Sequence, residues 1–179
     1  MVILRDLNLD DAPLMLEWMH DNELVNNLNK NFGSMSIDDC KAFIKSAQVD
    51  QSFIGKVTSL HLAITDESNE YLGTVSLKDI DYENGTAEFG IVVRRCAVGK
   101  GIASEAMKQI ISKGFKDIQL HQIYWCVDIN NKRAIRFYEK NMYNRIDIND
   151  YDKLYNHIIK SGDYEQDKID SFVWYLVEE

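Results

Sequence analysis

The chain has 179 residues, of which 45% are hydrophobic, and it contains one proline and nine glycines. This length and composition predict a single domain over residues 1–179 and exclude collagen-like and low-complexity disordered proteins. The formal net charge of −9 disfavours a nucleic-acid partner, because such surfaces need clustered lysines and arginines. The charge is compatible with a cationic partner and equally with ordinary solubility.

The sequence predicts neither a membrane protein nor a secreted one. It has no run of about 18 apolar residues, and its start, MVILRDLNLDDAP, lacks the basic and apolar regions of a signal peptide. The three cysteines, Cys40, Cys96 and Cys126, show no metal-ligand spacing. We therefore expect reduced thiols, no metal site and a cytoplasmic location.

The N-terminal part predicts one strand and two helices. Val2–Leu7 predicts an edge strand, and the polar residues after it predict the cap of a helix of about 15 residues. Ser36, followed three positions later by Asp39, predicts a capping box that begins a second helix.

Antiparallel strands are predicted next. Leu60–Thr65 and Tyr71–Ile80 flank the polar turn DESN, and Asn84-Gly85 predicts a second hairpin turn before a strand that begins at Ala87. Glu88 is unusual because it alternates with apolar neighbours in that strand.

A glycine turn then opens into a helix. Phe89–Val93 predicts a strand buried on both faces, Gly99-Lys100-Gly101 breaks it, and from Ile102 onward apolar residues recur every three or four positions. The first turn of a helix has unpaired N–H groups and the positive end of the macrodipole, so this junction can bind an anion. An ordinary tight turn is the alternative, because the sequence matches neither a P-loop nor a dinucleotide-binding fingerprint.

A further strand and helix follow. Gln122–Asp128 predicts the strand, and Asn131 is a suitable N-cap for the helix KRAIRFYEK. Tyr138 lies on the apolar side of that helix, where a core aromatic is the alternative to a functional tyrosine. Beyond this helix, strands are predicted near Arg145–Asp150 and over Ser171–Val177, with a polar segment and a turn between them.

This order of motifs resembles the GNAT superfamily of N-acetyltransferases, most of all the branch of ribosomal-protein, spermidine and amino-sugar acetyltransferases. The resemblance rests on Gly99-Lys100-Gly101 with Glu105-Ala106 behind it, on Val127-Asp128 at a strand end, and on Asn131-x-x-Ala134-x-x-x-Tyr138-Glu139-Lys140. It implies a mixed α/β fold with a mostly antiparallel, centrally splayed sheet of about six or seven strands, flanked by about four helices.

The resemblance implies acetyl-CoA as co-substrate. Its pyrophosphate would lie on the main-chain amides of Val98, Gly99, Lys100, Gly101, Ile102 and Ala103, and its pantetheine arm would pair with Ile91, Val92 and Val93. A main-chain N–H near Val92 or Val93 would stabilise the developing oxyanion. Tyr138 matches the tyrosine that protonates the departing thiolate, and Asn131 matches the asparagine that helps to hold the cofactor arm.

The implied acceptor is a primary amine of a small molecule or peptide, such as a polyamine, an amino sugar or a protein N-terminus. Glu88 would orient the amine and help to remove its proton, with a salt bridge to a nearby lysine as the alternative. Other acceptor-side candidates are Glu17, Trp18, Asn27, His157 and Tyr164, each of which could instead be an ordinary core or surface residue. A homodimer is compatible with the family.

Two departures from the family pattern affect these expectations. Cys96 stands where the family often has Gln or Arg, so fewer side chains are available to phosphate. Met142-Tyr143 replaces the usual closing Gly-Phe, so we expect Asn141 to take the left-handed position that ends the helix. A non-catalytic acyl-CoA-binding or sensing module of the same fold is the alternative function.

Overall fold

The computed structural model describes residues 1–26, 28, 32–52 and 57–179, with the side chains of these ranges except 49–52. Seven strands form one sheet in the order β1-β2-β3-β4-β5-β7-β6. The strands are β1 (Ile3–Asp6), β2 (Leu60–Thr65), β3 (Tyr71–Asp81), β4 (Thr86–Val93), β5 (Gln122–Asp128), β6 (Arg145–Ile146) and β7 (Phe172–Glu178). All neighbours are antiparallel except β4 and β5, so the predicted sheet is confirmed.

The described ranges contain six α-helices where about four were expected. They are α1 (Ala12–Met19), α2 (Asn22–Val25), α3 (Ile37–Ser52), α4 (Ile102–Lys116), α5 (Lys132–Lys140) and α6 (Asp152–Ser161). The single N-terminal helix that the sequence predicts is divided, because Asp21 accepts a hydrogen bond from the main chain of Glu23 and so caps a new helix. No helix in these ranges combines the length and apolar character needed to cross a membrane.

The capping box predicted at the start of α3 is present. The Ser36 main chain donates to the Asp39 carboxylate at 2.7 Å, and the Asp39 main chain donates back to the Ser36 hydroxyl at 3.2 Å. The strand predicted over Arg145–Asp150 is shorter than expected, because a 3-10 turn over Ile148–Asp150 replaces its second half. The polar segment after it forms α6, which the sequence analysis missed.

Helices cover both faces of the sheet. On one face, α4 and α5 pack on the main core, which includes Met107, Ile110, Trp125 and Tyr138. On the other face there are two separate apolar clusters. One joins α1 and α3 to β2 and β3, and the other joins α6 to β5 and β7. Glu88 belongs to neither cluster, although it is buried.

The sheet opens between β4 and β5. These strands pair in parallel only through Thr86–Gln122, Ala87–Ile123 and Glu88–Tyr124, although β4 continues to Val93 and β5 to Asp128. After Tyr124, β5 no longer pairs with β4, while its pairing with β7 extends over its whole length. The prediction that Phe89–Val93 is buried on both faces is therefore wrong for all but Phe89, because residues 90–93 are half-buried beside the opening.

Candidate active site

The β4–β5 gap is the opening beyond the Glu88–Tyr124 pair, and on this side the end of β4 pairs with no strand among the described residues. The Arg94 N–H donates to the Leu72 carbonyl at 2.8 Å, with Thr74 opposite Val92 in the register. Because hydrogen bonding alternates along an antiparallel strand, the N–H and C=O of Val92 point to β3, and those of Ile91 and Val93 point to the gap. Of the two predicted oxyanion donors, the Val93 N–H is thus the one directed to the gap.

The glycine loop lies at the end of this edge. Gly99 and Gly101 both have a φ of 78°, and a Cβ built on either glycine would meet no atom within 4 Å. The backbone therefore needs glycine for its conformation, while the space above it is open. Lys100 between them is exposed.

The first turn of α4 presents main-chain N–H groups beside that space. Gly101 is the N-cap and supplies no side-chain acceptor, and the first helical bond runs from the Glu105 N–H to the Gly101 carbonyl. Ile102 and Ala103 thus lie in the turn whose N–H groups lack helical partners. The Val98 N–H already donates to the Arg95 carbonyl at 3.2 Å, so the predicted row of available amides begins at Gly99.

The end of α5 is fixed to the beginning of α4. The Ser104 hydroxyl donates to the Asn141 side-chain oxygen, and the Asn141 amide donates to the Phe137 carbonyl at 2.8 Å. Asn141 has a φ of −89°, so the prediction that it takes the left-handed position is wrong. Met142 takes that position with a φ of 66°, and hydrogen bonds from Met142 to Glu139 and from Tyr143 to Tyr138 complete a Schellman motif.

Tyr138 lies in an aromatic cluster on the α5 side of the sheet. Its ring centroid is 5.3 Å from that of Trp125 and 5.2 Å from that of Tyr175, and 7% of the residue is exposed. Burial raises the pKa of the Tyr138 phenol well above its usual range, so the phenol keeps its proton at neutral pH. The residue is thus part of the core, and it is also protonated as a general acid must be.

Asn131 has a structural role in the same helix. Its side-chain oxygen accepts a hydrogen bond from the Ala134 N–H at 3.1 Å and caps α5. It lies just after β5, whose end forms one wall of the gap. Its predicted contact with a cofactor arm stays a prediction.

Glu88 is the last residue of β4 that pairs with β5, and it is 6% exposed. Lys78 Nζ, directly across on β3, donates to Glu88 Oε1 at 2.8 Å. The Tyr164 hydroxyl donates to the same oxygen at 3.0 Å, and the Cys126 thiol donates to the Tyr164 oxygen at 3.4 Å. The lysine salt bridge that the sequence analysis left open is therefore present.

The neighbours of Glu88 on this network stay protonated. Burial is the main cause that raises the pKa of the Tyr164 phenol well above its usual range, and it raises the pKa of the Cys126 thiol to about 12. Both groups are consequently hydrogen-bond donors at neutral pH.

Two more carboxylates lie beside Glu88. Oxygens of Asp79, Glu88 and Asp163 all lie within 4.8 Å of one another. Asp79 follows Lys78 on β3, and Asp163 follows the turn at Gly162 that ends α6. Three carboxylates so close to each other attract a cation, which can be a metal ion or the ammonium group of an organic amine.

The remaining acceptor-side candidates lie elsewhere or have structural partners. Trp18 is buried and donates to the Tyr71 hydroxyl at 3.1 Å, and Glu17 forms an ion pair with Arg94 at 3.0 Å. His157 lies 3.5 Å from the Asp81 carboxylate, on a cavity of 810 Å³ at the opposite end of the β4–β5 pair from the gap. Asn27 lies outside the described residues.

Sequence reasoning missed Lys78, Asp79, Cys126 and Asp163 as parts of the site. One signal could have identified Lys78, because the hairpin predicted at Asn84-Gly85 sets it opposite Glu88. Cys126 and Asp163 reach the site only through the pairing of β5 with β7 and the position of α6, for which the sequence has no local signal.

Comparisons with known proteins agree with this architecture. The chain is 29% identical over 157 residues to the uncharacterized N-acetyltransferase p20 of Bacillus licheniformis, covering 87% of this chain and 86% of the relative. It is 27% identical over 123 residues to the spermidine N(1)-acetyltransferase of Vibrio cholerae, covering 67% and 71%.

The fold is shared with solved structures. A Vibrio cholerae spermidine N-acetyltransferase in complex with CoA and spermine matches with a TM-score of 0.71 and 21% identity, covering 82% of each chain. A probable acetyltransferase matches with a TM-score of 0.75 and 18% identity, covering 99% of this chain and 93% of that one. A family model described as an acetyltransferase (GNAT) domain matches residues 1–143. The chain belongs to the GNAT family of acetyltransferases and is an N-acetyltransferase.

Proposed function

We propose that the protein transfers an acetyl group from acetyl-CoA to a primary amine by direct attack within a ternary complex. The observation that carries this proposal is the β4–β5 gap. The edge of β4 borders this gap, with the open glycine loop at one end and the buried Glu88 carboxylate at the other. One side suits a long ligand with amides and phosphates, and the other suits a cation.

The loop side of the gap, formed by Ile91, Val93 and the turn at 99–103, fits the donor. The main-chain groups of Ile91 and Val93 can pair with the pantetheine amides as a neighbouring strand would. The N–H groups from Gly99 to Ala103 can receive the pyrophosphate, and the exposed Lys100 adds positive charge.

The chain supplies three groups for the reaction. The Val93 N–H stabilises the oxyanion that develops on the thioester carbonyl, Glu88 accepts the proton of the attacking amine, and Tyr138 donates its proton to the departing CoA thiolate. The new C–N bond replaces the C–S bond, so no covalent enzyme intermediate is needed. Holding both substrates in the gap supplies much of the rate.

The carboxylate side of the gap, formed by Lys78, Asp79, Glu88, Asp163 and Tyr164, favours a cationic acceptor. Three carboxylates face one lysine there, so the described groups carry a net negative charge. A polyamine fits this charge better than a neutral amino sugar does. The relatives named as spermidine acetyltransferases support the same acceptor class.

The test is an amine panel assayed with acetyl-CoA by release of free thiol. We expect spermidine and related polyamines to give turnover, and their fully N-methylated analogues, which keep the charge but cannot be acylated, to act as inhibitors. An acceptor of another class, such as an amino sugar, would correct the substrate. A thermal shift with CoA but no thiol release with any amine would favour the non-catalytic acyl-CoA-binding module.

Assembly of several copies belongs to the same proposal. A Vibrio cholerae spermidine N-acetyltransferase of this fold, with a TM-score of 0.67 and 19% identity over 99% of this chain and 93% of that one, is dodecameric. Light scattering of the purified protein would distinguish a larger assembly from the homodimer that the sequence analysis allows.

A further inference from the structure

Glu88 is held through only one of its two carboxylate oxygens. Lys78 Nζ donates to Oε1 from β3, and the Tyr164 hydroxyl donates to the same atom from the segment after α6. Within the part of the chain that the structure describes, Oε2 accepts no hydrogen bond. Two donors from different elements therefore fix one oxygen and leave the other for a ligand.

We propose that Lys78 and Tyr164 are positioning residues, which act on the acceptor amine through Glu88 and leave Oε2 to receive it. This inference rests on the proposed acetyl transfer and deepens it. The reacting amino group attacks in its neutral form, and one of its N–H protons moves to Glu88 Oε2 as the nitrogen bonds to the thioester carbon. The C–S bond breaks, and the thiolate takes the Tyr138 proton, so the step balances.

The charges around Glu88 explain why Lys78 is needed. The titratable groups that face the carboxylate are Lys78 and Asp79 on β3, Tyr124 and Cys126 on β5, and Asp163 and Tyr164 after α6. Asp79 and Asp163 repel the Glu88 charge. Of these groups Lys78 alone is positive, since the tyrosines and the thiol stay neutral. A buried carboxylate needs such a partner.

Gly90 lies beside the Lys78 side chain. A Cβ built on Gly90 would lie 3.5 Å from Lys78 Cε, so the lysine chain lies over the part of β4 just beyond Glu88. Residue 90 begins the half-buried part of the strand, beside the gap.

The test compares Lys78→Met, Lys78→Arg and Tyr164→Phe, with Lys108→Met on the exposed side of α4 as the matched control. We expect Lys78→Met to lower kcat about tenfold because the base loses its orientation. Its KM for a cationic amine should fall or stay the same, because a competing positive charge is removed. Lys78→Arg should recover most of the kcat, and Tyr164→Phe should lower kcat about threefold at unchanged KM.

A fall in kcat without a rise in KM distinguishes positioning from simple structural damage. If Lys78→Met fails to fold by circular dichroism, the arginine and phenylalanine variants decide the question. If the wild type is active and both Lys78→Met and Tyr164→Phe keep its kcat, the inference is overturned and the proposed function stands. A wild type that releases no thiol with any amine would overturn the proposed function, and the inference with it.

Discussion

The two sides of the β4–β5 gap are built from different kinds of parts. The loop side uses main-chain groups of one continuous segment, from Ile91 to Ala103, whose shape depends on two glycines. The carboxylate side uses side chains from β3, β4 and the segment after α6, with Cys126 of β5 behind them. A local segment thus determines the shape of the loop side, while the carboxylate side is assembled only by the whole topology.

Replacing Tyr138, the proposed proton donor, has the largest expected effect. Tyr138→Phe should lower kcat about 100-fold, because the thiolate loses its proton donor. The affinity for CoA should be unchanged by calorimetry. Tyr143→Phe is the control, since this phenol contacts the same Trp125 ring. Equal turnover in the wild type and Tyr138→Phe would limit Tyr138 to a packing role.

High pH should destabilise the apolar cluster that joins α1 and α3 to β2 and β3. Tyr71 bonds Trp18 and Thr74 beneath α1, and burial raises its pKa to about 12. Below pH 10 the phenol is protonated in both states. Between about pH 10 and 12 the Tyr71 phenol ionises in the unfolded state but keeps its proton in the folded state. The free energy of unfolding therefore falls by about 2–3 kcal/mol. Chemical denaturation across this range should show a weaker pH dependence in Tyr71→Phe.

The loop side should respond to a change of main-chain shape. Gly101→Val should weaken CoA binding about tenfold, because a β-branched residue resists a positive φ and its side chain fills the space proposed for the pyrophosphate. Gly162→Val is the matched control, since Gly162 has a φ of 77° and open space but lies far along the chain, at the end of α6. Equal CoA affinity in wild type and Gly101→Val would contradict the proposed phosphate site.

The smallest expected effect concerns the end of α5, which supports the loop side through Ser104. Met142→Gly should raise the free energy of unfolding by about 1 kcal/mol, because glycine adopts the left-handed conformation without strain and Met142 is 86% exposed. Asn141→Gly should give no gain, since Asn141 is not left-handed and its side chain bonds Phe137. Thermal or chemical denaturation of both variants would check the pair.

The sequence predicts the loop side well for physical reasons. Its signals are local, since glycines before an amphipathic helix and a polar cap such as Asn131 act within a few residues. The error at Asn141 arose because side-chain preference favours Asn over Met in the left-handed region. The Schellman hydrogen bonds around Met142 outweighed that preference.

The sequence predicts the carboxylate side only in part. Glu88 was identifiable as a lone acid in an apolar strand, and Lys78 follows from the hairpin register. Asp163 and Cys126 were not identifiable, because their position near Glu88 depends on the long-range pairing of β5 with β7 and on the placement of α6. The sequence analysis missed α6 because most of its residues are polar. Its buried apolar residues are Leu154 and Ile158.

The pairing of β5 with β7 makes one wall of the gap depend on a long-range contact. Each residue of β5, from Gln122 to Asp128, pairs with one of β7, and this pairing holds β5 away from β4. One wall of the cleft therefore requires two segments that are distant in the chain, and such closures form slowly. During refolding we expect affinity for CoA, the proposed donor, to return only as the β5–β7 pairs form.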